Sequence, residues 1–251
     1  MKTHQIVSHW KTRSDPRAAF TRTEILVLVG IIVMLALFQL SAASSWRNQT
    51  KIAQCASNLR QLGLTMLLYG NDYGDNLPSE AGSSVNWMWD LEWKAGNTLN
   101  QYGIPQPLMY CPGTAPRFGP VDNRNLYNYR PNNFHVIGYA VTLPGNTRIL
   151  ASNVNTTITP QPIQPGSTTV PLASQRVLNA EANLTPDGAN FVSVPGGYMR
   201  SGRIIPHLSP HLEGYIPAGG NLGMLDGHVE WRSFERMQLR TIKTVEAWFY
   251  W

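Results

Sequence analysis

The strongest constraint on this chain lies near its start. Residues 25–38 read ILVLVGIIVMLALF, fourteen positions without a charge, and Leu40, Ala42 and Ala43 prolong the stretch past Gln39. Fourteen residues are short for a bilayer span, which needs about 20. Counted from Phe20 to Ala43 the stretch reaches roughly 36 Å of helix at ~1.5 Å per residue, provided Arg22 and Glu24 are tolerated at one end. Such a segment must be covered by lipid or by neighbours, or be removed. Three readings stay open. The segment is a signal peptide cut within the following SAASSW, an uncut membrane anchor, or a helix exposed by a cut just ahead of the apolar run.

The flanking charge orients the segment. Lys2, Lys11, Arg13 and Arg17 against Asp15 give residues 1–19 a net +3 of the chain's +5. A basic start favours the cytoplasmic side of a membrane. The remaining charge forms no Lys/Arg stripe, so nucleic acid is not an expected partner. With 43% apolar and 14% charged residues, the chain has material for a core and is not a disordered polymer. Its 21 Gly and 18 Pro argue for a loop-rich domain.

Beyond the apolar run, Ile52, Cys55, Leu59, Leu62, Met66 and Tyr69 recur at steps of three and four, which is helical periodicity. No Pro intervenes between Phe20 and Tyr69. One helix of about fifty residues is predicted, stopping at Gly70–Asn71. Its second half has a single apolar stripe, suited to packing on a sheet. Residues 135–142, 147–154 and 175–182 are predicted strands, short and bounded by Gly, Pro or Asn. Asp226–Gly227 between two strand-like runs is a hairpin signal.

Several residues are candidates for chemistry. Cys55 and Cys111 suit either one disulfide or two buried thiols. Asn71, Asp72, Asp75 and Asn76 offer oxygens to calcium, or simply Asx turns after a helix. Trp87, Trp89 and Trp93 make a sugar platform or, more often for aromatics, core packing. His211, Glu181 and Asp226, with His207 and His228 near them in type, are ligands suited to zinc or another divalent metal, though at no recognised spacing. No cofactor is otherwise expected. No nucleophile, phosphate loop or paired-carboxylate motif stands out, and the chain is read as a non-enzyme.

The segment RAAFTRTEILVLVGIIVMLALF resembles the N-terminal motif of type IV pilins and type II secretion pseudopilins. The resemblance implies a leader, residues 1–19, cut by a prepilin peptidase between Ala19 and Phe20, with methylation of Phe20. Glu24 falls at the fifth mature position, where it would meet a neighbouring subunit's amino terminus during assembly. Ala19 departs from the family's usual Gly, and Arg22 from its usual apolar residue. CASNLRQLGLTMLLYGNDYGDNLP is similar to pseudopilin-like helices ending in an Asn/Asp-rich turn, and MYCPG to the family's Cys-Pro turn, which implies a Cys55–Cys111 bridge. HLSPHLEGYIPAGGNLGMLDGHVEWRSF resembles the C-terminal signature of the same family, with Asn221, Asp226 and Gly227 in its strand and turn. Here fourteen residues separate His211 from Asp226, where nine is commonest.

The implied fold is α+β and pilin-like. A long N-terminal helix, its membrane half over 20–45 and its amphipathic half over 46–70, packs on a small antiparallel β-sheet head with long loops within 46–251. The implied role is a filament subunit with prepilin peptidase, other pilin-like subunits and an inner-membrane assembly platform as partners. It would reside in the inner membrane with an extracytoplasmic, periplasmic head. The alternative is a membrane-anchored module that binds a glycan or a metal.

Overall fold

A computed structural model of the chain describes residues 21–81, 87–163, 166–242 and 247–251; over 36–45 and 195–198 the description stops at the backbone. The processing pair Ala19 and Phe20 lies outside the described residues. The chain forms two compact units, Met1–Ser45 and Trp46–Trp251.

In chain order the elements are α1 (Arg22–Asp72), β1 (Asp90–Glu92), α2 (Trp93–Gln101), α3 (Pro120–Tyr127), β2 (Phe134–Val136) and β3 (Tyr139–Val141). They continue with β4 (Val177–Glu181), β5 (Asn183–Thr185), β6 (Val194–Arg200), β7 (Arg203–His207), β8 (Leu212–Glu213) and β9 (Ile216–Pro217). The last are β10 (Gly219–Met224), β11 (Val229–Ser233) and β12 (Trp248–Tyr250).

The start of α1 is fixed by a reciprocal cap. Thr21 Oγ1 accepts the Glu24 N–H at 3.3 Å, and Glu24 Oε2 accepts the Thr21 N–H at 2.7 Å. Thr-x-x-Glu is a capping box, which satisfies donors that a helix start leaves orphaned. Glu24 therefore has a local role that the apolar context alone does not suggest. In the first unit the large apolar side chains from Ile25 to Leu35 are exposed, each by about half or more.

In the second unit the predicted stripe finds its core. Cys55, Leu59, Leu62 and Met66 are fully buried, and Ile52 and Tyr69 are half-buried at its ends. Burying each such side chain contributes about 1.5–3 kcal/mol. They join a core with Tyr139, Leu178, Leu222, Phe249 and Trp251. The helix ends at Asp72, one residue past the predicted Gly70–Asn71 stop and just before Gly74 and Asp75 take positive φ.

The main sheet has four antiparallel strands in the order β11-β10-β4-β3, with Leu222 opposite Ala180 and Ala140 opposite Ala180 on its other side. Among the described residues the other strands pair as two-stranded ribbons, β1-β2, β5-β12, β6-β7 and β8-β9. Gly223 faces Asn179 across the β4–β10 pair, and a Cβ there would overlap Asn179 Oδ1. Only glycine lets that amide lie flat across the sheet toward α1.

The expected pilin-like architecture, with a membrane half on its helix and one small sheet as its head, does not hold. Among the described residues no helix is long and apolar enough to cross a membrane. Among the described residues the β part is five small antiparallel sheets, because most strands are only two to five residues long and are interrupted by Gly, Pro and Asn turns. The strand predicted over 135–142 is split into β2 and β3. That predicted over 147–154 is a bridge of Ile149 to Thr241 followed by a 3-10 turn, Ala151–Asn153. Leu150 N–H donates to Arg240 O there, so the segment is held by one loop instead of a ladder.

Candidate functional site

The candidate site is a buried cluster between α1, the main sheet and two loops. Cys55 projects from the buried stripe of α1 and is bonded to Cys111, 56 residues on, with Cα atoms 5.1 Å apart. Such a bond forms and persists in an oxidising compartment, which is where this domain belongs. Cys111 opens the Cys-Pro-Gly turn, and the Gly113 N–H donates to its sulfur at 3.3 Å. Asn58, one turn along α1, donates to Tyr110 O at 3.1 Å and fixes the loop just before Cys111.

Two further ligand-type side chains meet the bridge. His211 Nε2 lies 3.3 Å from Cys111 Sγ and 3.4 Å from Glu181 Oε1. Glu181 Oε1 lies 3.9 Å from the same sulfur. Glu181 comes from the end of β4 and His211 from the loop after β7. Both side chains are fully buried. Asn221 on β10 donates at 2.7 Å to Glu181 Oε1 and at 2.9 Å to Ile52 O on α1. Among the described residues, neither Glu181 Oε2 nor His211 Nδ1 has a hydrogen-bond partner. A buried carboxylate needs an opposite charge or strong donors close by, since its desolvation is expensive. Here it has an amide and an imidazole.

The chain geometry that delivers His211 is unusual. Its φ is +51°, a left-handed conformation uncommon outside glycine. Ser209 anchors the preceding loop by accepting the Leu184 N–H at 2.8 Å and donating to Leu184 O at 2.9 Å. Gly113 gives the ring room, because a Cβ there would sit 2.8 Å from His211 Cε1 and 2.9 Å from its Nε2. Tyr139, opposite Glu181 on β3, is also fully buried; burial and the adjacent Glu181 push its phenol well up, against a smaller pull from Asn58.

The other candidates separate. Asp226 is not in the cluster: it sits in the β10–β11 turn with Gly227, where its Oδ1 receives the His228 N–H at 3.1 Å and faces His228 Nδ1 at 2.5 Å. Burial pushes the Asp226 carboxyl up, but those contacts with His228 outweigh it and hold the carboxyl below its ordinary value. Of the three residues read from sequence as metal-ligand candidates, Glu181 and His211 come together beside Cys55 and Cys111, and Asp226 stands apart from them. The physical reason is the hairpin, which directs Asp226 to solvent while Asn221 points at the cluster.

The Asn/Asp turn after α1 uses its oxygens locally. Asp75 Oδ1 accepts the Thr159 N–H at 3.0 Å and hydroxyl at 2.9 Å, Asp72 accepts the Tyr102 hydroxyl at 2.8 Å, and Asn76 donates back to Tyr73 O. The tryptophans go to packing. Trp89 is buried against Phe249, with ring centroids 5.4 Å apart, and Trp93 stacks on His135 at 4.1 Å. A cavity lined by Arg176, Arg232, Arg240 and Trp251 lies at the edge of β4 and β11, but the Arg176 guanidinium is engaged by Asn155 Oδ1, Ser152 O and Val154 O.

The chain matches no protein-family model, and searches of curated proteins and of solved structures find no match.

Proposed function

We propose that the chain is a structural subunit of the pilin and pseudopilin kind, processed ahead of Phe20 and assembled through the start of α1. The observation that carries the reading is the exposed apolar surface from Ile25 to Leu35, placed directly after a capped carboxylate. Exposed apolar surface of this extent marks an interaction site. In the proposed assembly it buries against the same segment of neighbouring subunits. Residues 1–19 face the cytoplasm and are removed by a prepilin peptidase. The 46–251 domain waits on the periplasmic side of the inner membrane until an assembly platform draws it into a filament. There Glu24 exchanges part of its contact with Thr21 for the free amine of a neighbour's Phe20.

The capping box allows the charge to be tested apart from the helix start. Glutamine can replace glutamate in such a cap. Glu24→Gln is expected to abolish filament assembly in the native host while leaving the thermal unfolding of the 46–251 domain unchanged. Glu24→Leu should do the same. Filaments of normal length and number from Glu24→Gln would remove the carboxylate from the mechanism.

A further inference from the structure

The cluster around the disulfide has the composition of a metal centre. Cys55, Cys111, Glu181 and His211 each offer one ligand atom, these atoms all lie within 4.8 Å of one another, and all four residues are buried. Two sulfurs, one imidazole nitrogen and one carboxylate oxygen form a tetrahedral donor set for zinc, whose bonds run about 2.0–2.3 Å. Ligand atoms sharing such an ion stand about 3.3–3.8 Å apart, from the same bond lengths. The edges from His211 Nε2 to Cys111 Sγ and to Glu181 Oε1 are 3.3 and 3.4 Å, and that from Cys111 Sγ to Glu181 Oε1 is 3.9 Å. Three edges of the tetrahedron are thus already near their final length.

We propose that, with its cysteines reduced, the chain binds one zinc-class divalent cation through Cys55 Sγ, Cys111 Sγ, His211 Nε2 and Glu181 Oε1, and that this ion and the disulfide exclude each other. The surroundings suit both states. The Gly113 N–H donates to Cys111 Sγ, and the Asn221 amide orients Glu181, as outer partners of metal ligands do. The unpartnered Glu181 Oε2, fully buried, gains a cation beside it. All four positions are filled by protein, so the site is a closed, structural one.

The exchange balances. A dithiol reductant attacks the Cys55–Cys111 bond, is itself oxidised to a disulfide, and leaves two protein thiols; both electrons end on the protein sulfurs. The cation then displaces the two thiol protons to solvent and takes both thiolates. In a newly made chain the thiols are already present and only the second step is needed. Metal capture in that state couples to folding. The proposal stands apart from the filament reading, because its readout involves neither processing nor assembly.

The test uses the full-length chain in detergent, reduced with a dithiol, freed of reductant under anaerobic conditions, and titrated with cobalt(II) and then zinc. Expected are one cobalt per reduced chain with thiolate-to-metal charge-transfer and tetrahedral d–d absorption, displacement by zinc, and a higher unfolding temperature for the zinc-loaded chain. The oxidised chain should bind none. Glu181→Gln should weaken cobalt binding by at least about tenfold, and His228→Ala, at the separate turn, should leave it unchanged. The idea is overturned if the reduced chain binds no stoichiometric cobalt, whether it stays folded or not. Charge-transfer bands absent from the bound cobalt, or wild-type affinity in Glu181→Gln, would overturn it equally.

Discussion

Replacing both cysteines, as Cys55→Ala with Cys111→Ala, is expected to lower the unfolding free energy of the domain by about 4 kcal/mol. The bond spans 56 residues of sequence, so in the chain-entropy view it denies the unfolded chain a large set of conformations. The same bond ties α1 to the loop that carries Tyr110 and Gly113, and through them to the cluster. Domains of this kind are stable by about 5–15 kcal/mol, so the variant should fold but with much of its margin gone. Urea unfolding followed by tryptophan fluorescence measures the change. A loss below about 1 kcal/mol would mean that the bond holds nothing the packing does not already hold.

The second large effect is expected at His211. His211→Asn keeps a residue that tolerates the left-handed backbone but withdraws the ring from Glu181. That leaves the fully buried Glu181 side chain with the Asn221 amide beside it but without the imidazole, and leaving a buried polar group short of a partner costs about 1–3 kcal/mol. Glu181→Gln alone should cost less, because a neutral amide can still accept from Asn221. Combined with His211→Asn it should recover a large part of the loss. A double-mutant cycle in urea reads the coupling directly. Strictly additive single effects would show that His211 and Glu181 do not stabilise one another.

Much of the local structure was legible in the sequence. The spacing of Cys55, Leu59, Leu62 and Met66 announces a one-sided helix, since a 3.6-residue period is a property of neighbours in sequence. Asp226–Gly227 announces its turn for the same reason, and the Cys-Pro-Gly of the pilin resemblance pointed to the bridge that forms. The Thr21-to-Glu24 cap is also written in the sequence as Thr-x-x-Glu.

What sequence could not give is set by long-range placement. His211 meets Cys111 across 100 residues of chain through a left-handed backbone, and no periodicity encodes that approach. Asn58, Asn179 and Asn221 look like surface residues by type, yet each is buried and donates across the α1 interface, to Tyr110 O, Leu59 O and Ile52 O. The signal was indirect: glycines at 113 and 223, each leaving space for a polar side chain. Residues 147–154 have strand-like composition, yet their β-branched and apolar residues serve a bridge and a turn. The expectation of one sheet failed because pairing partners, unlike strand propensity, are decided by the whole chain.

The most direct measurement is the intact mass and N-terminal sequence of the protein taken from its own cell envelope. A filament subunit processed as proposed begins at Phe20, carries one methyl group on its amine, and retains the apolar residues from Ile25 onward. A mature chain that still begins at Met1, or one that begins within or beyond the SAASSW stretch, would contradict the account.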